Sequence, residues 1–170
     1  VSVITLAQEM DAGRILGQVE TSIGETETAG ELHDRLSLLG PDLILEVLAG
    51  NDDGDLQDES LVTYASKLSR NDALLDLTND SETVARTIRG LSPWPCCHLI
   101  ICGVDCKILR AISNTNSGVV GEVLENGSIA TGTGSIEILE MKPSGSKAMS
   151  WKDFCNGRSI TSGCTCEVPE

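Results

Sequence analysis

The sequence has few aromatic residues: of 170 residues, two are Trp, one is Tyr and one is Phe. Because aromatic rings provide the surfaces on which single-stranded nucleic acids stack, stacking cannot be the main recognition device of this protein. Long apolar runs are also missing, and the longest candidates are Leu43–Leu48 and Leu99–Ile101. A membrane helix needs about 20 apolar residues, so neither a membrane span nor a membrane partner is expected.

Basic residues are scarce in the first part of the chain. The formal net charge is −14; residues 1–63 hold 14 acidic and 2 basic residues, and residues 64–170 hold 12 acidic and 10 basic residues. The total charge would repel a polyanion, since phosphate contacts need Lys and Arg. Ten of the twelve cations nevertheless lie in the second part, which would have to meet such a partner. The alternative is a solvated surface of mixed charge.

The N-terminus shows no basic segment followed by an apolar core, so the sequence predicts a cytoplasmic protein. Its first residues already have the pattern of a strand, which predicts that the chain is part of a longer protein.

The seven cysteines are an odd number, and their spacing matches no paired zinc motif, so no metal is expected. Most of them are expected to be buried or idle as small apolar side chains. The seven are Cys96, Cys97, Cys102, Cys106, Cys155, Cys164 and Cys166.

The first part has the pattern of a small α/β unit. Loosely alternating apolar residues predict strands at Ser2–Gln8 and Ile15–Ile23. Apolar residues then recur at steps of three and four, which predicts a helix that Thr28 caps and Gly50 ends. Pro41 is expected to kink or split this helix. The polar, acidic stretch Asn51–Ser60 predicts an exposed linker.

The second part combines one helix with several short strands. An amphipathic helix is predicted over Ser81–Leu91, with Asp80 or Ser81 as its cap and Ser92–Pro95 as its stop. Trp94 lies between two prolines and is expected to be packed rather than to stack on a base. Short apolar runs separated by Gly, Asn and Asp turns predict a small barrel or sandwich with a closing helical turn at Met149–Asn156. The predicted strands are His98–Cys102, Lys107–Ile112, Val119–Leu124, Ser128–Thr131 and Ile136–Met141.

Several stretches, taken in order, resemble the methionyl-tRNA formyltransferase family. Arg89–Pro95 resembles its R-x-x-N-P-W-P turn, with Ser92 in place of Asn, and Lys107–Ala111 resembles its K-I-x-x-A strand. The remaining stretches resemble the end of its catalytic domain, the entry into its C-terminal domain and its closing signature. They are Val3–Thr5, Met10–Gly13, Leu32–Gly40, Thr63–Ser69, Pro143–Ser150, Asp153–Phe154 and Asn156–Arg158.

The resemblance implies a fold and an activity. Residues 1–50 would be the α/β remnant of a Rossmann-like formyltransferase domain, residues 51–62 an acidic linker, and residues 63–170 a small OB-like β-barrel domain that binds tRNA. The parent enzyme would transfer formyl from 10-formyltetrahydrofolate to the amino group of methionyl initiator tRNA in translation initiation. This fragment would bind tRNA but neither hold the folate nor catalyse the transfer. Initiator tRNA is the expected partner of a monomer, and no DNA partner is expected.

The resemblance carries over no catalytic residue. The family loop reads D-x-G-x-D-T-G with its second Asp catalytic, and in the register where Asp11 takes the first Asp, Ile15 takes the second. An isoleucine cannot accept a proton. For tRNA binding, the cations within or beside the matching stretches are favoured, because tRNA is recognised largely through backbone charge and shape. These candidates are Lys67, Arg70, Arg89, Lys107, Arg110, Lys147 and Arg158.

Two other functions are considered beside this one. A non-catalytic RNA-binding or interaction module that kept the barrel is slightly favoured by Ile15 and by the near-neutral second part. A sugar-nucleotide formyltransferase is disfavoured by the entry stretch and by the closing signature.

Overall fold

The computed structural model describes residues 1–50 and 52–169, which divide into two compact units. The first unit comprises Val1–Gly24 and Glu31–Lys67, and the second comprises Glu25–Gly30 and the chain from Leu68 onward. Within the described residues, none of the helices combines the length and the apolar character needed to cross a membrane.

The first unit contains the predicted strand pair and helix. Strands β1 (Ser2–Ile4) and β2 (Ile15–Gln18) pair antiparallel, and α1 runs over Ala29–Ala49, of which residues 31–49 belong to this unit. Both strands are shorter than predicted. Pro41 lies inside α1 without splitting it, so the expected split did not occur. The helix lies close to β2, because a Cβ at Gly17 would be 2.8 Å from Val47 Cγ2.

The acidic stretch after α1 is exposed, as predicted, but it is also held by hydrogen bonds. The backbone of Asp55 exchanges two 2.9 Å hydrogen bonds with Ile15 in β2. Gln57 Nε2 donates to the carbonyl oxygens of Asp11 and Gly13, at 2.7 and 2.6 Å. Asn51, the first residue of the predicted linker, lies outside the described residues.

In the second unit, helix α2 (Ser81–Gly90) forms where the sequence predicts it. The Asp80 side chain accepts a 2.9 Å hydrogen bond from the Thr83 N–H, which satisfies one of the free donors of the first turn. Val84, Ala85 and Ile88 follow at helical spacing, and all three are buried against the sheet. The cap and the apolar stripe therefore explain both the start and the packed face of α2.

A six-stranded antiparallel sheet forms most of the second unit. Its order is β5-β6-β4-β3-β8, with β7 paired to β6. The strands are β3 (Cys97–Ile101), β4 (Val104–Asn114), β5 (Ile129–Ala130), β6 (Ser135–Pro143), β7 (Met149–Ser150) and β8 (Cys166–Glu167), with helix α3 (Trp151–Arg158) between β7 and β8. Cys102 and Gly103 both have positive φ in the two-residue β3–β4 turn, as a type I′ hairpin requires.

The sheet curls until its ends nearly meet. Isolated bridges join Glu122 to Thr165, next to β8, and Val123 to Ile129 in β5. The predicted strand Val119–Leu124 is therefore wrong: Gly121 has a φ of +83°, which interrupts extended backbone, and only these bridges remain. The predicted barrel is confirmed in this coarse sense, as an antiparallel sheet that is nearly closed.

The core lies between α2, α3 and the concave face of this sheet. Phe154 of α3 and Ile88 of α2 are at most 1% exposed and meet apolar side chains from every long strand. Those strand residues are Cys97, Leu99, Ile101, Cys106, Ile108, Ala111, Ile136, Ile138 and Met141.

Candidate nucleic-acid interface

Three basic or potentially basic side chains lie in one row across the sheet of the second unit. The backbone register pairs His98 of β3 with Lys107 of β4, and Lys107 with Lys142 of β6. The neighbours of Lys107 and Lys142 in the strand, Cys106, Ile108 and Met141, are buried. Because side chains alternate along a strand, the row faces solvent.

The row carries a local excess of positive charge. Directly opposed like charges destabilise a strand pair, so Lys107 and Lys142 repel each other unless an anion lies between them. One acid moderates the row: His98 Nδ1 lies 2.9 Å from Asp105 Oδ1. This geometry suits a phosphate group, which two ammonium groups can approach from one side.

Two of the seven predicted site residues already have structural roles. Arg89 Nη1 donates a 2.8 Å hydrogen bond to the carbonyl oxygen of Ala111, which ties α2 to β4. Arg110 Nη1 donates a 2.9 Å bond to the carbonyl oxygen of Thr26, and Arg110 faces Glu140 across the β4–β6 pair. Both arginines are half-buried, so their side chains are restrained. Their charges therefore stay close to the sheet.

The other predicted site residues are exposed but dispersed. Lys67 belongs to the first unit, and Arg70 begins a 3₁₀ helix in the second. Lys147 lies in the turn between β6 and β7, and Arg158 ends α3 with its guanidinium 5.3 Å from the centroid of the Phe154 ring. Of the seven, Lys107 alone belongs to the row.

His98 and Lys142 are not among the seven site residues predicted from the sequence. The local signal was present, because each follows a buried residue in an alternating run. What a single sequence does not give is the strand register, which makes both residues neighbours of Lys107.

Trp94 differs from its prediction as a packed residue. Its side chain is 61% exposed at the turn after α2. Pro93 and Pro95 restrict the backbone on both sides of this residue. The packed reading of Trp94 is wrong.

The cysteines divide into two groups. Desolvation raises the pKa of Cys97 and of Cys166 to about 12 and that of Cys106 to about 11, so these thiols stay protonated and unreactive at neutral pH. Cys102 and Cys164 form a disulfide with their Cα atoms 5.9 Å apart, so these two are not among the idle thiols. Residues 1–50 and 52–169 contain no group of three or more His, Cys, Asp or Glu that could hold a metal ion.

The second unit is thus a small domain built on a nearly closed, barrel-like antiparallel sheet with a basic row on its solvent-exposed face. The family described as "Formyl transferase, C-terminal domain" matches residues 67–159. The chain therefore belongs to the formyl transferase C-terminal domain family.

Individual relatives agree with this family. The chain is 36% identical over 166 residues to a methionyl-tRNA formyltransferase of Pseudomonas putida strain F1, which covers 93% of the chain and 54% of the relative. It is 34% identical over 169 residues to that of Methylococcus capsulatus strain Bath, with 94% and 55% covered. The chain thus spans about half the length of these curated relatives.

A solved structure shares the fold. The crystal structure of HypX from Aquifex aeolicus in complex with tetrahydrofolic acid superimposes with a TM-score of 0.69, covering 94% of this chain and 30% of that chain. At 18% sequence identity, this likeness concerns the fold alone.

Proposed function

We propose that this chain is the C-terminal part of a methionyl-tRNA formyltransferase and that its second unit binds the initiator methionyl-tRNA. The observation that carries the proposal is the row formed by His98, Lys107 and Lys142. Two lysines opposed across a strand pair cost stability, and a phosphate backbone is the ligand that would offset this cost. The 36% identical relative supports the choice of tRNA among polyanions.

We also propose domain boundaries, a co-substrate and a cellular location for this protein. Residues 1–50 would end a Rossmann-like catalytic domain, residues 51–62 would link it to the rest, and residues 63–170 would form an OB-like barrel. The longer enzyme would use 10-formyltetrahydrofolate, which the tetrahydrofolate in the HypX structure supports, and this chain alone would hold no folate and transfer no formyl group. It would act as a cytoplasmic monomer without a DNA or membrane partner.

The experiment is a titration of residues 1–170 with initiator tRNA at several salt concentrations. If the row contacts phosphates, the double variant Lys107→Glu, Lys142→Glu weakens binding and lowers the salt slope by about 2, since each lost phosphate contact removes about 1. The single variant Lys107→Glu should lower the slope by about 1. Its matched control is Lys152→Glu, which reverses one charge at an exposed lysine on α3 outside the row.

Two outcomes would contradict the proposal. Equal losses in Lys107→Glu alone and in Lys152→Glu, which change the net charge by the same amount, would show that only total charge matters. Absence of binding by the unmodified chain at low salt would instead favour the interaction module that kept the barrel without its RNA partner.

The loop around Asp11 bears on the activity of the longer protein. Asp11-Ala12-Gly13 also matches the last triad, D-T-G, of the family motif, although Ala7-Gln8-Glu9 then fails to match the first triad. Ile15 lies within β2 and is held there by Asp55 on one side and Ile4 on the other, whereas Asp11 is exposed in the loop with a φ of 58°. A catalytic acid needs a loop position that a substrate can reach, so we propose this second register.

Formyl transfer by the longer protein tests the register. Asp11→Asn should lower the rate by roughly 10²- to 10⁴-fold, as expected when an acid–base group is lost, while tRNA binding stays unchanged. Ile15→Val serves as the control. An unchanged rate in Asp11→Asn would favour the first register, in which Ile15 takes the catalytic position.

A further inference from the structure

Trp94 is a large aromatic side chain that the second unit leaves in water. The ring is 61% exposed, in a sequence with two Trp, one Tyr and one Phe. Tyr64, in the first unit, is also exposed, at 94%. In the second unit, by contrast, Phe154 is 1% exposed and Trp151 packs against the core. An indole exposed on a protein that has so few rings suggests a partner surface.

The turn that carries Trp94 is held firmly on both sides. The Gly30 N–H donates a 3.0 Å hydrogen bond to the carbonyl oxygen of Ser92, which is itself buried. A Cβ on Gly30 would lie 2.7 Å from Pro93 Cδ, so the two segments touch. The Cys96 N–H donates a 2.9 Å bond to the carbonyl oxygen of Leu91, which closes the turn. A ring on such a turn loses little conformational entropy when it binds a flat partner.

Two arginines are connected to the segments that adjoin this turn. Glu25–Gly30, the segment that touches the turn, also accepts the 2.9 Å bond from Arg110 through Thr26. Arg89 is the last basic residue of α2, one turn before Trp94, and its guanidinium reaches Ala111, the neighbour of Arg110 on β4. The segments that flank the turn thus each carry or bond to an arginine, a residue type that can pair with a phosphate.

We propose that Trp94 stacks on an unpaired base of the bound tRNA. This inference rests on the proposed tRNA binding and adds the contact that distinguishes single-stranded from paired nucleotides. Both faces of a base inside a duplex are covered by its neighbours, whereas an unpaired base has a face that an indole can cover. The row would bind phosphates, and Trp94 would contact a nucleotide in a single-stranded part of the tRNA.

The test uses the fluorescence of Trp94 in the chain of residues 1–170 carrying Trp151→Phe, so that a single indole reports. Initiator tRNA with its single-stranded 3′ end is titrated against the same tRNA with that end annealed to a complementary oligonucleotide. Stacking quenches the Trp94 signal with the first tRNA. If the 3′ end supplies the base, annealing removes the quenching; quenching that persists after annealing assigns the contact to another unpaired base and still supports the stack.

Variants measure the size of the contact. Trp94→Ala should weaken tRNA binding by about 5- to 150-fold, the range for loss of one base–aromatic stack. Trp94→Phe should retain most of the affinity, and the salt slope should stay unchanged in both, because no charge is removed. Val119→Ala is the control, since Val119 is also an exposed apolar residue of this unit, at 71% exposure.

The stacking inference is wrong, while the proposed tRNA binding stands, if tRNA binds but Trp94 shows no quenching and Trp94→Ala keeps full affinity. If the unmodified chain binds no tRNA at low salt, the proposed function fails and this inference fails with it. The two failures are therefore distinguished by the first titration.

Discussion

At the scale of single residues, burial decides which side chains matter for stability and which remain for binding. Ile88 is fully buried between α2 and the sheet, whereas Val119 is 71% exposed in the loop after β4. Lys107 and Lys142 are exposed and face each other, so their replacement should change binding more than folding. Stability and the proposed tRNA binding are thus expected to depend on different residues of the second unit.

A core truncation tests this separation. Ile88→Ala should destabilise the second unit by about 2–5 kcal/mol, because it leaves a cavity that the surrounding side chains fill incompletely. Val119→Ala should change the free energy of unfolding by no more than about 0.5 kcal/mol. Urea denaturation monitored by circular dichroism measures both, and similar losses in the two variants would contradict the described core.

At the scale of elements, local signals set where α2 begins and tertiary contacts set what it does. Asp80 caps the helix through Thr83, and hydrogen bonds from the Thr83 side chain and backbone hold the pKa of Asp80 below its usual value. The arginine in its last turn, Arg89, then joins the helix to β4. One element therefore combines a cap readable in the sequence with a contact that only the fold supplies.

The cap gives a pH dependence with a defined sign. Because the pKa of Asp80 is lowered on folding, its stabilisation is present above the unfolded pKa and is lost as the pH falls through the folded pKa. We expect Asp80→Ala to lower the melting temperature at pH 7 and to have a smaller effect near pH 2. Asp80→Asn keeps a capping oxygen that does not titrate, so its loss at pH 7 should be smaller. Equal effects of Asp80→Ala at both pH values would contradict the role of the charge.

At the scale of the whole molecule, the basic residues are concentrated in one part of the chain, and the C-terminal tail closes the sheet. Residues 1–63 carry 14 of the 26 acids but only 2 of the 12 bases, so any polyanion must be met by the second unit. In that unit, the last strand β8 pairs with β3, and Thr165 bridges to Glu122, so the C-terminal tail brings the two ends of the sheet together. The Cys102–Cys164 disulfide fastens this tail to the β3–β4 turn.

The disulfide should therefore stabilise the nearly closed sheet. It links residues 62 positions apart, and reduction should lower the free energy of unfolding by about 2–4 kcal/mol. Thiol titration of the unfolded protein should find five free thiols before reduction and seven after it. Cys155→Ser, which leaves the pair intact, is the control. Seven free thiols before reduction would contradict the Cys102–Cys164 pair.

The sequence by itself determined the local elements and the family. Helical spacing and an acidic cap located α2, apolar spacing located α1, and glycine turns between apolar runs indicated a barrel. The resemblance at Arg89–Pro95 and Lys107–Ala111 pointed to the family that the match over residues 67–159 then showed. These features depend on neighbours within a few residues, which a sequence displays directly.

Only the tertiary structure decided which distant residues share a surface. The strand register placed His98 and Lys142 beside Lys107. The packing of the second unit bonded Arg89 and Arg110 to backbone carbonyl oxygens and left Trp94 exposed. It also brought Cys102 to Cys164 and replaced the predicted strand at Val119–Leu124 by isolated bridges. The physical reason is that register, exposure and pairing depend on contacts between segments far apart in the chain, and a one-residue shift of a strand would turn each of its side chains to the opposite face.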